Sequence, residues 1–292
     1  MTTIPPPSHL PGELLDQRYR VDDVIGRGGH GVVYSGYDLQ TKRNVAIKFL
    51  HPEFAADPEF NVRLLREAQV ASKLQGTAAI EIIALRQDES GALFIVMELL
   101  EGFDLDDYLA QWESRELFFP VSEVAKIFAP IVHTLAQAHS MGIVHRDLKP
   151  GNIYIQSVAR GGTVRLLDWG LVKVMKAGPL TRDGMVAGSP SYIAPEVWRG
   201  NPRMLDHRID VYSLGALIFR VLGGQPPFNG SLLDLMQASL AAPRPSLHAL
   251  RNELPPRIDA WVQQALAISV DARYQNVTAL WNSLGEIIGF SS

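Results

Sequence analysis

The chain has 292 residues, 47% of them hydrophobic, no cysteine and a formal charge of −4. This length suits two modest domains or one two-lobed unit, and the small negative charge gives no indication of nucleic acid as a main partner. The absence of cysteine excludes disulfides and thiolate metal sites and fits a reducing, cytoplasmic location. No run reaches the ~20 apolar residues needed to span a bilayer, so no membrane segment is predicted.

Residues 1–17, which begin MTTIPPP, are predicted to form a flexible proline-rich leader. They lack the basic and apolar regions of a secretory signal peptide. A proline-rich docking tail is the alternative interpretation, and whether the chain is a fragment of a longer, multidomain or membrane-anchored protein stays open.

A glycine-rich segment at residues 26–31, GRGGHG, follows a predicted strand that begins at Val21. Glycine lets the backbone approach phosphate groups where a Cβ atom would clash. A dinucleotide-binding loop with this spacing would open a helix, but residues 32–37 are β-branched and aromatic and predict a second strand. The pattern therefore indicates a phosphate-binding strand–loop–strand hairpin.

Residues 44–50, NVAIKFL, predict a third strand, whose alternation places Ala46 and Lys48 on one face. A lysine that points the same way as a small apolar residue is unusual for a core strand. It suits a face that lines a nucleotide pocket.

A helix is predicted to follow Asp57 and Pro58, which fit its N-cap and N1 positions. Glu67 falls on one face of this helix, and the other residues of that face are apolar: Phe60, Leu64, Ala71 and Leu74. A carboxylate that faces the body of the protein needs a cationic partner, so we predict an ion pair with Lys48. Alternatively, Glu67 lies at the edge of the face and stays solvated.

A strand followed by a connector is predicted at residues 91–102, and the first domain ends there. A longer helix follows, with Ser122 as its candidate N-cap, a kink expected at Pro130 and an end at Gly142. Its apolar stripe comprises Val124, Ile127, Phe128, Ile131, Leu135 and Ala138.

Residues 145–152, HRDLKPGN, hold three side chains at spacings that suit phosphoryl transfer. Asp147 can accept a hydroxyl proton, Lys149 can neutralise a transferring phosphate, and Asn152 can offer an amide oxygen to Mg²⁺. This segment is the most specific signal in the chain.

Two short strands, at residues 153–155 and 164–167, are predicted to flank a glycine turn and to lead to the triplet DWG at residues 168–170. Residues 188–196 then read GSPSYIAPE. The apolar run 211–222 predicts a helix that is buried on all sides.

Taken in order, these motifs resemble those of bacterial eukaryotic-like (Hanks-type) serine/threonine protein kinases, and they run from residue 26 to residue 273. The resemblance implies an α+β, bilobal protein-kinase fold with ATP bound between the lobes. The small lobe, residues 18–99, would contain an antiparallel β-sheet and one key helix. The larger lobe, residues 100–292, would be mainly helical.

The resemblance also implies roles for individual residues. The catalytic set is Asp147, Lys149, Arg146 and Ser189. The nucleotide-binding set is Ile25, Gly26, Arg27, Gly28, Gly29, His30, Gly31, Val33, Ala46, Lys48, Glu67, Met97, Glu98, Leu100 and Tyr154. Asn152 and Asp168 would hold Mg²⁺ (or Mn²⁺), and Thr181 is the candidate phosphosite. Glu196 is expected to pair with Arg273, and Asp210 is expected to hold the backbone of the catalytic loop.

The chain departs from the family pattern at His30 at the loop tip, at Tyr154 beneath the adenine, and at two substitutions: Trp169 for the usual Phe and Ser189 for the more usual Thr. The aromatic residue at position 169 sets active against inactive packing of the loop. We predict that Trp169 packs beside His145 and a residue near Ile83, and that the small Ala71 makes room for it.

The implied function is transfer of the γ-phosphate of ATP to protein Ser/Thr hydroxyls, with autophosphorylation, self-association and a role in bacterial signalling as further expectations. A nucleotide-binding pseudokinase is the first alternative, and Trp169 is its only support. A small-molecule kinase of similar fold is the second, but such enzymes generally lack the APE segment that this chain has at residues 194–196.

Overall fold

The computed structural model describes residues 11–28, 31–51, 72–88, 91–169, 190–200 and 205–290. The chain divides into two compact units. The first comprises Met1–Gln75 and Ile80–Glu101, and the second comprises Gly76–Ala79 and Gly102–Ser292. The domain limits predicted from the sequence, at residues 17–18 and 99–100, stay predictions.

The described part of the first unit is built on one antiparallel sheet. Its strands are β1 (Leu14–Leu15), β2 (Tyr19–Gly28), β3 (Gly31–Asp38), β4 (Arg43–Leu50), β5 (Ile82–Gln87) and β6 (Leu93–Glu98). They lie in the order β1-β2-β3-β4-β6-β5. The strand–loop–strand arrangement and the two later strands predicted from the sequence are confirmed. The helix predicted after Asp57 lies outside the described residues.

One face of this sheet forms the hydrophobic core of the first unit. The buried residues of that core are Leu15, Tyr19, Val21, Tyr34, Val45, Ile47, Phe49, Ala84, Phe94 and Val96. On β4 the core side chains are at alternate positions, which leaves Ala46 and Lys48 on the opposite face.

The second unit combines a small sheet with helices. The sheet has the order β7-β8-β9, with β7 (Gly102–Asp104), β8 (Ile153–Gln156) and β9 (Val164–Leu166). The α-helices of the described residues are α1 (Leu105–Glu113), α2 (Val121–Ser140), α3 (Pro195–Trp198), α4 (Arg208–Gly223), α5 (Leu232–Ala241), α6 (Leu247–Leu250), α7 (Ile258–Ala265) and α8 (Val277–Ile288). The β-rich first unit and helical second unit confirm the predicted kinase fold.

Helix α2 confirms the predicted stripe, since all six of its apolar residues are buried. The N-cap prediction was wrong: Pro120 precedes the helix, and Ser122 is already its second residue. At the other end, the N–H of Gly142 donates to His139 O and that of Ile143 donates to Ala138 O, both at 3.0 Å. This is a Schellman motif, which explains why the helix ends where a glycine can adopt positive φ. The kink at Pro130 stays a prediction.

Helix α4 begins at Arg208, three residues before the predicted start. The carboxylate of Asp206 accepts the backbone N–H of Arg208 at 2.8 Å, which satisfies a donor of the first turn. Every residue of α4 except Arg208 and Arg220 is buried, as the apolar run predicts. Neither α4 nor any other helix in the described ranges has the length and apolar character to cross a membrane.

Candidate active site

Five of the residues predicted to bind nucleotide lie on one face of the first unit's sheet. The strand register pairs Gly26 with Val33, Val33 with Lys48, and Ala46 with Met97. Paired residues on neighbouring strands point to the same face, and so do residues two apart on one strand. These five therefore share the face opposite the core, where the sequence places a nucleotide pocket.

Lys48 is the cation of this face, and it is only 9% exposed. Because burying a charge is costly, a lysine here must compensate by binding an anionic group. Its predicted partner Glu67 lies outside the described residues, as do Gly29 and His30, so the ion pair and the loop-tip role stay predictions.

The end of β6, just before the connector, is fixed by a reciprocal contact. The backbone N–H of Glu98 donates to Glu81 O at 3.0 Å, and the Glu98 carboxylate accepts the N–H of Glu81 at 2.9 Å. Leu100 follows two residues later in the connector, and Ile25, on β2, is 52% exposed. The predicted contacts of these residues with adenine are not tested by the geometry of the first unit alone.

The catalytic loop brings Asp147, Lys149 and Asn152 together in the second unit. Lys149 Nζ lies 3.1 Å from Asp147 Oδ2. Asn152 Nδ2 donates to the Asp147 carbonyl oxygen at 2.7 Å, which fixes the backbone that carries the carboxylate. Asp147 is 7% exposed and Asn152 3%, so the group that would accept a proton lies in a largely desolvated loop next to one cation.

His145 joins this loop to the segment that precedes Asp168. Its Nε2 donates to Leu167 O at 2.9 Å, and its Nδ1 accepts the N–H of Asp147 at 3.3 Å. One ring nitrogen donates and the other accepts, which is the pattern of a neutral imidazole. Burial lowers the pKa of His145, in agreement with that neutral form. Asp147 and Asp168 are therefore held through one buried side chain.

Asp210 anchors the catalytic loop from helix α4. Its carboxylate accepts the backbone N–H groups of His145 at 2.7 Å and Arg146 at 2.8 Å, which confirms the prediction for this residue. His139 Nε2 is the third contact, at 2.8 Å. His139 was not identified from the sequence; the available signal was a histidine next to the buried Ala138 of α2, which is a poor position for a solvated ring.

The two segments that His145 joins each contain a residue with an unusual backbone angle. Arg146 has φ +65° and Asp168 has φ +46°, in the region that costs a residue with a Cβ about 1 kcal/mol or more. The hydrogen bonds of Asp210 and His145 hold these conformations.

Trp169 is 5% exposed, and its ring centroid lies 5.0 Å from that of His145, at an interplanar angle of 56°. Its predicted contact with His145 is confirmed. Ala71 lies outside the described residues, so the volume exchange stays a prediction. Tyr154 is half-buried on β8, and its place beneath adenine also stays a prediction.

The segment after residue 189 is held by helices α4 and α5. Ser213 Oγ donates to Tyr192 O at 2.7 Å, and Ser239 Oγ donates to Ile193 O at 3.3 Å. Neither serine was identified from the sequence, because a serine inside an apolar helix carries no pattern of its own.

Glu196 and Arg273 form the predicted ion pair, with two parallel hydrogen bonds of 2.8 and 3.0 Å. Both side chains are almost completely buried. Thr181 and Ser189 lie outside the described residues.

The residues present fit a divalent metal. The amide nitrogen of Asn152 is used by Asp147 O, so its amide oxygen is the group that can bind a cation, and Asp168 supplies a carboxylate. Oxygen ligands of this kind suit hard divalent ions. Within the described ranges no group of three or more His, Cys, Asp or Glu could hold a metal ion.

Comparisons with known proteins identify the family of the chain. A family model described as the protein kinase domain matches residues 19–273. The serine/threonine-protein kinase PknL of Mycobacterium tuberculosis is 36% identical over 280 residues, which cover 95% of this chain and 67% of PknL. Serine/threonine-protein kinase PksC of Streptomyces coelicolor is 34% identical over 273 residues, which cover 91% of this chain and 48% of PksC. The crystal structure of the M. tuberculosis PknI kinase domain is similar with a TM-score of 0.75 and 28% identity, over 96% of this chain and 99% of that one.

The chain therefore belongs to the protein kinase family. It is a serine/threonine protein kinase domain, and this family uses ATP and a divalent metal. The chain spans about two thirds of the length of PknL and about half that of PksC.

Proposed function

We propose that Asp147 orients the Ser or Thr hydroxyl of a protein substrate and accepts its proton while the γ-phosphate of ATP is transferred. The observation that carries this proposal is the partly buried contact of Asp147 with Lys149, in a loop whose backbone Asp210 fixes. Lys149 would neutralise negative charge on the transferring phosphate, and a charge placed in a desolvated loop acts more strongly than one in water. Most of the rate gain then comes from positioning.

Nucleotide-binding residues are proposed in each unit. In the first unit these are the shared face of Gly26, Val33, Ala46, Lys48 and Met97, the remaining glycine-loop residues, Ile25, and the backbone of Glu98 and Leu100. Lys48 and Glu67 would form the ion pair that directs the lysine to the phosphates. In the second unit the proposed contact is Tyr154.

Mg²⁺ is the proposed metal, with Mn²⁺ as the alternative, and Asn152 and Asp168 would hold it. When bound, it would neutralise the charge of the phosphate oxygens. The role of this chain is to place one amide oxygen and one carboxylate at the ends of two segments that His145 joins.

The test is turnover with Mg²⁺, labelled ATP and a generic acceptor such as myelin basic protein. Asp147→Asn keeps the size of the side chain but removes its ability to accept a proton, and should lower kcat at least ~10²-fold. Circular dichroism and ATP affinity should remain those of the wild type. Near-wild-type turnover of Asp147→Asn would refute the assignment, and a wild-type protein that binds ATP without turnover would be a pseudokinase.

Thr181 is the proposed activating phosphosite. Among the described residues no carboxylate pairs with the guanidinium of Arg146, which adjoins the catalytic Asp147 and suits an anionic partner. A phosphate would supply about −1.5 to −2 charges. Mass spectrometry after autophosphorylation, together with the activity of Thr181→Ala, tests this proposal. An unmodified Thr181 with unchanged activity in the variant would contradict it.

Ser189 is proposed to act as an unmodified hydroxyl near Asp147.

The proposed setting is signalling in the cytoplasm, where ATP is available and a chain without cysteine needs no oxidising compartment. Autophosphorylation between two copies is the proposed form of self-association. It predicts that the initial rate of autophosphorylation rises with the square of protein concentration, whereas a reaction within one copy would give a first-order dependence.

A further inference from the structure

His51 lies one residue beyond β4 and contacts the end of the glycine-rich hairpin. Its Nε2 is 3.3 Å from the carbonyl oxygen of Gly28, the last residue of β2. A carbonyl oxygen can only accept, so Nε2 carries the proton and donates. The contact joins the ends of two strands that are not neighbours, since β3 lies between β2 and β4.

Among the described residues, Gly28 and Gly31 at the hairpin end have no side chain. Gly28 pairs with Gly31, and Gly31 pairs with Leu50. Gly28 is exposed, and a Cβ atom built on it would meet nothing within 4 Å. Gly31 approaches the carbonyl oxygen of Phe49 so closely that no Cβ atom fits there. Of the described side chains, that of His51 is placed to fix the position of Gly28.

A glycine backbone has more conformational freedom than any other, and a ligand that binds to it must pay for its ordering. A side-chain donor that holds the backbone in one position reduces that cost before the ligand arrives. The benefit applies only to ligand groups that the hairpin itself contacts.

We propose that His51 is a positioning residue for the phosphate-binding hairpin, and that its Nε2–H holds the backbone of Gly28 in place for the phosphates of ATP. This rests on the proposed function of the glycine-rich segment. His51 is in the first unit, whereas the proposed catalytic residues are in the second. Its effect should therefore be on nucleotide affinity and not on kcat.

Three substitutions separate this role from a general loss of structure. His51→Ala removes the donor. His51→Gln places an amide nitrogen near the position of Nε2. His51→Asn has a shorter side chain, which places its amide nitrogen near the position of Nδ1 and out of reach of Gly28. His133→Ala is the matched control, because His133 is an exposed histidine of α2 in the second unit. Isothermal titration would give the Kd of ATP and of adenosine for each protein, and steady-state kinetics would give kcat.

We expect His51→Ala and His51→Asn to weaken ATP binding about 3- to 10-fold, the range for one lost hydrogen bond. His51→Gln and His133→Ala should bind ATP like the wild type, and adenosine affinity and kcat should not change in any variant. Should His51→Ala fail to fold, the Gln and Asn variants carry the same comparison. Equal ATP affinity in the Gln and Asn variants, or equal weakening of ATP and adenosine, would overturn the inference.

Lys48→Met, measured in parallel, distinguishes failure of the inference from failure of the proposed function. Lost ATP affinity in Lys48→Met with wild-type affinity in the His51 variants overturns the inference alone. Unchanged ATP affinity in Lys48→Met overturns the proposed nucleotide face, and the inference with it.

Discussion

The carboxylate of Asp210 accepts a hydrogen bond from His139 Nε2 at 2.8 Å, and both side chains are buried. Burial by itself raises the pKa of Asp210, but the hydrogen bonds from His139 and from the Arg146 backbone outweigh it, so the net shift is downward. The catalytic loop is thus fixed to an ionised carboxylate on helix α4, and helix α2 helps to keep that carboxylate in place.

Asp210→Asn should lower both stability and kcat. An amide presents only one oxygen, so its NH₂ group would face one of the backbone donors of His145 and Arg146. A buried donor left without an acceptor costs about 1–3 kcal/mol. Urea unfolding measures the stability, and steady-state kinetics with saturating ATP measures kcat. Asp271→Asn is the control, because Asp271 is an exposed carboxylate that pairs with Arg208 and should change stability by less than ~0.5 kcal/mol. A wild-type kcat in Asp210→Asn would contradict the anchoring role.

His145 should make the protein less stable as the pH falls. Its pKa is lowered by burial in the folded chain, whereas in the unfolded chain it is about 6.5. Below that value the unfolded state binds a proton that the folded state does not, so the free energy of unfolding falls with decreasing pH until the folded pKa is reached. Between pH 7.5 and 5.5 the wild type should lose more stability than His145→Gln. Exposed His133→Gln is the control and should follow the wild type; parallel curves for wild type and His145→Gln would exclude a depressed pKa.

Glu196→Ala should be strongly destabilising. It leaves the guanidinium of Arg273 buried with two of its donors unpaired, and loss of one partner from a buried pair costs about 3–5 kcal/mol. The pair of Glu123 and Lys126 on α2 is the matched control, because it is exposed and Glu123→Ala should cost less than ~1 kcal/mol. Chemical denaturation of both variants gives the comparison, and similar losses would show that burial does not decide the strength of these pairs.

Trp169 and Ala71 should be coupled. If the small Ala71 makes room for the indole, then Ala71→Leu should overfill the site at a cost of about 1–3 kcal/mol. Trp169→Phe alone should leave a void, and the two changes together should recover activity. A double-mutant cycle on stability and kcat measures the coupling free energy. Strictly additive effects would show that the two residues do not share a packing site.

Local patterns in the sequence predicted the elements that depend on them. The alternation in β4, the apolar stripe of α2 and the apolar run of α4 each predicted an element and its buried residues. Ends were predicted less well, because an end depends on single hydrogen bonds: Asp206 starts α4 early, and Ser122 does not cap α2.

The site was predicted where one motif supplies several side chains, as in Asp147, Lys149 and Asn152. The confirmed contact of Glu196 with Arg273, which joins distant segments, was predicted because the family resemblance names both partners. His139 and Ser213 were missed because their partners are 71 and 21 residues away and a single polar residue in an apolar helix leaves no periodic signal.

The positive φ angles of Arg146 and Asp168 have a consequence for how the enzyme fails. A positive φ is unfavourable for both residues, and this conformation costs of the order of 1–3 kcal/mol at each position. The surrounding hydrogen bonds supply that energy, so the two segments relax once a few of those bonds break, while helices α2 and α4 are still folded. Catalytic activity should therefore disappear at a lower urea concentration than the helical circular-dichroism signal, and a mutation deep in α4 can inactivate the enzyme without unfolding it.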